Sequence, residues 1–130
     1  MTQTPLAKVL FVDDEPDIRT IASMALKHAK YNVELCESGI EALEFAKTFK
    51  PDLVLLDVMM PDLDGIMTLK KMRSDEELKS IPVIFISAKV QKSEIQHYLE
   101  LGAIGVITKP FDPLTLGKHI ADIWSDKVSS

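Results

Sequence analysis

The sequence has little cysteine, no long hydrophobic run and no excess of positive charge. Its single cysteine, Cys36, excludes an internal disulfide and is consistent with a reducing compartment. No apolar stretch approaches the roughly 20 residues that cross a bilayer, and the N-terminus lacks a signal-peptide pattern. The formal net charge of −5 disfavours nonspecific binding to nucleic acid or anionic membranes. We therefore expect a cytoplasmic protein with no membrane insertion and no direct nucleic-acid partner.

Short apolar runs alternate with helical patterns along the chain. Several of these runs are almost purely apolar, which is typical of strands buried on both faces of a parallel sheet. Between the runs, apolar residues recur at helical spacing. The predicted strands are Lys8–Val12, Val33–Cys36, Leu53–Leu56, Val83–Ile86 and Ile104–Ile107. The predicted helices begin near Pro16, Ser38, Asp64, Ser93 and Leu116, and the last one ends near Trp124, before a short polar tail.

This alternation predicts the α/β class. A flavodoxin-like (βα)5 fold follows, with a doubly wound parallel sheet in the strand order 2-1-3-4-5 and helices on both faces. The chain has 130 residues, of which 46% are hydrophobic, and this is enough for one well-formed core. We expect a single domain over residues 1–130 with its core at about 7–124, because no internal segment resembles a linker.

Polar residues follow four of the predicted strands. Asp13 and Asp14 come after the first strand, Asp57 after the third, Ser87 after the fourth and Lys109 after the fifth. Because ligands of open α/β sheets bind beyond these strand ends, the carboxylates, the hydroxyl and the ammonium should converge. Clustered carboxylates repel one another unless a cation joins them, and Mg²⁺ prefers oxygen ligands. A carboxylate beside Mg²⁺ and an ammonium is a feasible nucleophile toward phosphorus.

Four segments closely resemble the receiver domains of two-component response regulators. Residues 9–16, VLFVDDEP, resemble the first strand and acidic pair of that family, and residues 52–65, DLVLLDVMMPDLDG, resemble its phosphoacceptor strand and loop. Residues 82–88, PVIFISA, resemble the fourth strand with its switch hydroxyl, and residues 102–111, GAIGVITKPF, the last strand with its Lys-Pro pair. The resemblance extends from about Ala7 to Trp124 and is to a stand-alone receiver.

The resemblance implies a phosphoacceptor and a metal site. Asp57 would accept a phosphoryl group from a histidine kinase or a histidine phosphotransfer protein of a phosphorelay. Asp14, Asp57 and the backbone carbonyl of Met59 would bind Mg²⁺ directly, with Asp13 acting through water, and Mn²⁺ could substitute. The chain would promote its own phosphoryl transfer and dephosphorylation in cis, without being an enzyme for external substrates. The peptide bond before Pro110 would be cis.

The resemblance also implies a switch. Ser87 would turn toward the phosphoryl group and Lys109 would pair with it, so the surface of the fourth helix, fifth strand and fifth helix would change and bind a downstream protein. Met59 and Lys89 would flank the path of the attacking water, and we expect them to slow hydrolysis by obstruction. In one departure from the family, Val106 stands where many receivers carry Tyr or Phe, so the usual aromatic part of the switch is missing.

Three alternative functions compete with the receiver interpretation. A phosphohydrolase with an aspartate nucleophile would need a second Asp two residues after Asp57, where this chain has Met59. A flavin carrier of the same fold would need hydroxyl and N–H groups after the first strand, where Asp13, Asp14 and Glu15 would repel a phosphate. A receiver-like adaptor that binds a partner without phosphorylation stays open.

Overall fold

The computed structural model describes residues 6–129, and within them a five-stranded parallel sheet is flanked by helices. The strands are β1 (Lys8–Val12), β2 (Asn32–Cys36), β3 (Leu53–Asp57), β4 (Val83–Ser87) and β5 (Gly105–Thr108). The helices are α1 (Pro16–His28), α2 (Gly39–Phe49), α3 (Gly65–Arg73), α4 (Lys92–Glu100) and α5 (Leu116–Ser129). The strand order β2-β1-β3-β4-β5 confirms the predicted flavodoxin-like topology.

The strand register aligns the carboxyl ends of the central strands. Val12 of β1 pairs with Leu56 of β3, Asp57 pairs with Ile86 of β4, and Ser87 pairs with Thr108 of β5. All pairs are parallel, so the residues that end these strands meet at one edge of the sheet. Side-chain packing sets this register, because a slip by one residue would exchange the side chains that pack against the two layers of helices.

The core lies on both sides of the sheet. Leu10 and Leu56 pack on one face with the inner sides of α2, α3 and α4. Phe11 and Leu55 pack on the other face with α1 and α5. Every residue of β3 and β4 is buried. This double burial explains why the strands are almost continuously apolar, and it removes water from the end of the sheet where the polar residues lie.

The helix boundaries mostly follow the predicted signals. Ser38 caps α2, since its side chain accepts a hydrogen bond from the backbone N–H of Glu41 at 3.1 Å. The predicted end of the last helix at Trp124 is wrong, because α5 continues to Ser129. The polar residues after Trp124 contain neither glycine nor proline, so nothing in their backbone chemistry stops the helix. Among the described residues, each helix is too short or too polar to cross a bilayer.

Gly65 allows α3 to begin directly against the end of β3. A Cβ atom at this position would overlap the carbonyl oxygen of Asp57 and lie 2.9 Å from the Cα of Val58. The backbone N–H of Gly65 donates to the carbonyl of Val58 at 2.9 Å, and Asp64 caps the helix by accepting from the N–H of Met67 at 2.8 Å. The loop that follows Asp57 is therefore tied at both ends.

We expect Gly65→Ala to lower the free energy of unfolding by about 2 kcal/mol or more. Alanine favours a helix by up to about 1 kcal/mol over glycine, but here the overlapping atoms belong to backbone and cannot rotate away. Urea denaturation followed by circular dichroism measures the change. Lys70→Ala, at an exposed position of the same helix, is the control and should stay within about 0.5 kcal/mol of wild type. Equal unfolding midpoints for the two variants would contradict the steric argument.

Candidate functional site

Four strand ends bring together the polar residues that the sequence predicted. Asp57 is the last residue of β3 and Ser87 the last of β4, while Asp13 and Lys109 directly follow β1 and β5. Carboxylate oxygens of Asp13, Asp14 and Asp57 all lie within 4.8 Å of one another. The acidic cluster thus lies at the carboxyl edge of the sheet, the edge at which open α/β folds bind ligands.

Two of the three carboxylates are buried. The exposed fraction is 0% for Asp13 and 1% for Asp57, whereas Asp14 is half-buried at the rim. Burial disfavours the charged form and, together with the charge of Asp13, raises the pKa of Asp57 to about 6 despite the nearby Lys109. Burial also raises the pKa of Asp13, although the N–H of Glu15 and the Lys109 ammonium act in the opposite direction. Ionisation of these two buried carboxyls is therefore unfavourable in the folded protein.

Lys109 is the cation of this cluster. Its Nζ lies 3.1 Å from Oδ2 of Asp13, 3.2 Å from Oε1 of Glu15 and 3.4 Å from Oδ2 of Asp57. Burial lowers the pKa of Lys109, but the hydrogen bond to Asp13 and the charge of Asp57 outweigh it, so the net pKa is raised. The ammonium therefore stays charged and partly offsets the buried carboxylates. Glu15, for which the sequence indicated only a negative charge after the first strand, is a third partner of the lysine.

Asp13 is held more firmly than Asp57. The backbone N–H of Glu15 donates to Oδ1 of Asp13 at 2.9 Å, and the Arg19 guanidinium donates to the carbonyl of Asp13 at 2.8 Å. Oδ1 of Asp57 accepts only a long hydrogen bond of 3.4 Å from the N–H of Met59. Asp57 is therefore as buried as Asp13 and as close to negative charge, but its oxygens accept weaker hydrogen bonds.

The donor set fits a hard divalent cation. Asp13, Asp14 and Asp57 offer only oxygen atoms, and one ammonium faces more than one carboxylate, which leaves an excess of negative charge. Mg²⁺ is bound in proteins by one or two carboxylates with waters and phosphate oxygens. The half-buried Asp14 leaves one side of the cluster open to solvent, where such ligands can enter.

Ser87 turns away from the acidic cluster toward α4. Its Oγ accepts from the backbone N–H of Lys89 at 3.0 Å and lies 3.2 Å from the carbonyl oxygen of the same residue. The phenol oxygen of Tyr98 also lies 3.2 Å from Ser87 Oγ. Tyr98 was missed in the sequence, where its position in the fourth helix indicated no more than a place on an amphipathic face.

The remaining predicted residues surround this centre. The side chains of Met59, which is 65% exposed, and Lys89 lie at the surface. Val106 is partly buried and pairs with Phe85 across β4 and β5. The peptide bond between Lys109 and Pro110 is cis, the form that the resemblance implies. The roles assigned to Met59 and Lys89 in hydrolysis stay predictions.

Comparison with known proteins places this site in a family context. A family model described as response regulator receiver domain matches residues 9–121. The chain is 40% identical over 116 residues to the alkaline phosphatase synthesis transcriptional regulatory protein PhoP of Bacillus subtilis (strain 168), covering 89% of this chain and 48% of that protein. It is 35% identical to the DNA-binding dual master transcriptional regulator RpaA of Synechocystis sp. (strain ATCC 27184 / PCC 6803 / Kazusa), covering 82% and 44%. The chain therefore spans about half the length of these curated relatives.

A solved structure matches over nearly its full length. The chemotaxis response regulator CheY4 of Vibrio cholerae superposes with a TM-score of 0.84 at 34% identity, and the match covers 92% of this chain and 99% of that chain. The similarity in fold and the family match over residues 9–121 include all four strand ends that form the acidic site.

In metal-free buffer, Asp57→Asn should stabilise the protein at neutral pH by on the order of 2 kcal/mol. The carboxyl has a pKa of about 6 in the folded protein against an ordinary value of 3.8. An ionised Asp57 therefore destabilises the fold fully above about pH 6, and this effect disappears below the ordinary value as both states bind the proton. Urea denaturation of both proteins across this pH range in EDTA measures the difference.

The matched control for the charge removal is Asp122→Asn, which changes an exposed carboxylate on α5. It should show no comparable gain at neutral pH. An Asp57→Asn variant that is no more stable than wild type above pH 6, or whose gain persists unchanged in acid, would contradict the assignment of strain to this carboxylate.

Proposed function

The chain belongs to the response regulator receiver domain family of two-component signalling, and we propose that it accepts a phosphoryl group on Asp57. The observation that carries the proposal is the buried carboxylate of Asp57 at the end of β3, with its Oδ2 3.4 Å from the Lys109 ammonium and with Asp13 and Asp14 beside it. The donor is a histidine kinase or a histidine phosphotransfer protein, and the receiver acts on no external substrate.

The hydrogen bonds of the site favour Asp57 over Asp13 as the nucleophile. Both oxygens of Asp13 are engaged, Oδ1 by the N–H of Glu15 at 2.9 Å and Oδ2 by Lys109 at 3.1 Å. The corresponding contacts of Asp57, to Met59 and Lys109, are both 3.4 Å long. A carboxylate oxygen whose lone pairs are weakly engaged is the better nucleophile, because less stabilisation is lost on attack.

The proposed transfer uses one oxygen of Asp57. This oxygen attacks phosphorus, the bond between phosphorus and the histidine nitrogen of the donor breaks, and that nitrogen keeps the electron pair. Lys109 lies close enough to Asp57 to neutralise the phosphoryl oxygens as the new bond forms. Its position is held by the sheet, since the backbone N–H of Lys109 donates to the carbonyl of Ser87 at 2.9 Å.

We propose that Mg²⁺ binds at this site. Asp14, Asp57 and the backbone carbonyl of Met59 would hold the ion directly, and Asp13 would hold it through water, with Mn²⁺ as a substitute. When bound, the ion supplies positive charge that shields the incoming phosphoryl group from the carboxylates. The excess of negative charge around Asp13 and Asp57 supports this assignment, because the Lys109 ammonium is shared among several carboxylates.

Residues at the carboxyl ends of β4 and β5 would then respond to phosphorylation. The phosphoryl group adds a charge of about −1.5 to −2 and strong acceptor oxygens. Ser87 ends β4 and Lys109 follows β5, so both can contact the new group and alter the elements attached to them. The surface of α4, β5 and α5 is accordingly the proposed binding site for a downstream protein.

Acetyl phosphate with Mg²⁺ should label wild type at one site, and Asp57→Asn should not be labelled. Because Asp14 offers a metal ligand at the open rim, Asp14→Ala should need at least tenfold more Mg²⁺ for the same labelling, about 1.4 kcal/mol of lost metal binding. Intact-mass spectrometry with a magnesium titration measures both effects. Full labelling in excess EDTA, or labelling of Asp57→Asn at the wild-type rate, would overturn the mechanism. An adaptor that is never phosphorylated would give no labelled wild type at all.

Met59→Asn and Lys89→Glu, singly and together, should speed dephosphorylation in the absence of a phosphatase. Met59 follows Asp57 by two residues, and the backbone N–H and carbonyl of Lys89 both contact Oγ of Ser87. Both side chains therefore begin at the rim of the site. An apolar thioether cannot activate a water, and a cationic head can cover a phosphoryl oxygen. Each tenfold increase in rate corresponds to about 1.4 kcal/mol in the barrier.

The decay of labelled protein, followed by intact mass after removal of the donor, measures this effect. Met67→Asn and Lys92→Glu change exposed residues of the same types on α3 and α4, and both should decay at the wild-type rate. Unchanged or slower decay in all three rim variants would reject obstruction by these side chains.

A further inference from the structure

A hydrogen bond joins the proposed switch hydroxyl to an aromatic residue of α4. Ser87 Oγ and Tyr98 Oη are 3.2 Å apart, and the exposed fractions are 2% for Ser87 and 4% for Tyr98. Buried hydroxyls need partners, because a polar group that loses water and gains nothing destabilises the fold. Among the described residues, no buried side-chain polar atom is without a partner, so this pair is part of a fully satisfied arrangement.

The Ser87 hydroxyl has no spare capacity in this arrangement. It has one proton and two lone pairs, and three contacts engage them when it donates to the carbonyl of Lys89 and accepts from the N–H of Lys89 and from the Tyr98 hydroxyl. Turning Oγ toward a phosphoryl group on Asp57 would break the bond to Tyr98. The phenol would then be buried without this partner, unless the ring or α4 shifts toward solvent.

Packing explains why the aromatic ring comes from α4. The rings of Tyr98 and Phe85 meet edge to face, with their centroids 5.2 Å apart and an angle of 62° between their planes. Phe85 pairs in register with Val106 on β5, and these three residues belong to the same side of the core. The β5 position beside Phe85 thus carries a small aliphatic side chain, while a helix residue supplies the ring beside the Ser87 hydroxyl.

We propose that Tyr98 is a positioning residue for Ser87, holding its hydroxyl toward α4 until a phosphoryl group on Asp57 competes for it. This inference rests on the proposed function of Asp57 and Ser87. Release of the Tyr98 hydroxyl carries the signal directly into α4, on which His97 and Leu99 flank Tyr98 at exposed positions. The contact thus opposes activation in the resting protein and links the phosphoryl group to the α4 surface.

The test is a double-mutant cycle on the full chain with beryllofluoride, which mimics a phosphoryl group on aspartate, in the presence of Mg²⁺. Tyr98→Phe keeps the ring on Phe85 and removes only the hydroxyl, so Ser87 is released without competition. We expect beryllofluoride to bind this variant about threefold to tenfold more tightly than wild type, as judged by NMR titration. In a Ser87→Ala background, Tyr98→Phe should leave the affinity unchanged, because there is no hydroxyl to hold.

The outcomes separate this inference from the function on which it rests. Tyr31→Phe removes a half-buried phenol oxygen on the opposite side of the sheet and should leave binding at the wild-type level. Unchanged or weaker binding by Tyr98→Phe, or an equal gain in both backgrounds, would overturn the positioning role while the phosphoacceptor assignment stands. A wild-type protein that fails to bind beryllofluoride with Mg²⁺ would overturn both.

Discussion

The contact between one ammonium and several carboxylates is the interaction on which the rest of the site depends. Lys109 lies within 3.4 Å of Asp13, Glu15 and Asp57, and both of the aspartates are shielded from water. Without a cation here, two buried negative charges would repel each other in a medium that screens them poorly. The lysine reduces that repulsion without removing it, and the pKa of Asp57 stays raised, first because the carboxyl is buried and then because of the charge of Asp13. The same residual charge makes the site receptive to a divalent cation.

This contact spans the sheet, so it also constrains the fold. Asp13 follows β1 and Lys109 follows β5, and the two strands are brought together only through β3 and β4 between them. Burial of the apolar strands drives this assembly. The acidic edge lowers the stability of the fold, because each buried carboxylate there opposes folding. The core of the protein therefore supplies the stability that holds a charge arrangement which stays unfavourable unless a further cation joins it.

Ser87 connects the site to β5 and to α4. Its backbone carbonyl accepts from the N–H of Lys109, so β4 and β5 share one hydrogen-bonded end, while its side chain is bonded to Tyr98 on α4. A single residue thus touches the strand that carries the lysine and the helix that carries the aromatic ring. Rearrangement of its hydroxyl cannot stay local, because one of the partners that it would leave, Tyr98, is buried under α4.

Sequence patterns alone were enough to predict the fold class, the strand order and the residues of the acidic site. Near-continuous apolar strands are typical of burial on both faces, and parallel strands bring the residues that follow them to one edge. This reasoning places Asp13, Asp57, Ser87 and Lys109 at that edge. Three features could be known only from the folded structure: the pKa of Asp57, the contact between Glu15 and Lys109, and the bond between Ser87 and Tyr98. Desolvation depends on how completely neighbouring elements exclude water, and a contact between a strand end and a helix depends on how the helix packs across the sheet. Neither quantity is encoded in local spacing, because both arise from many side chains that are distant along the chain.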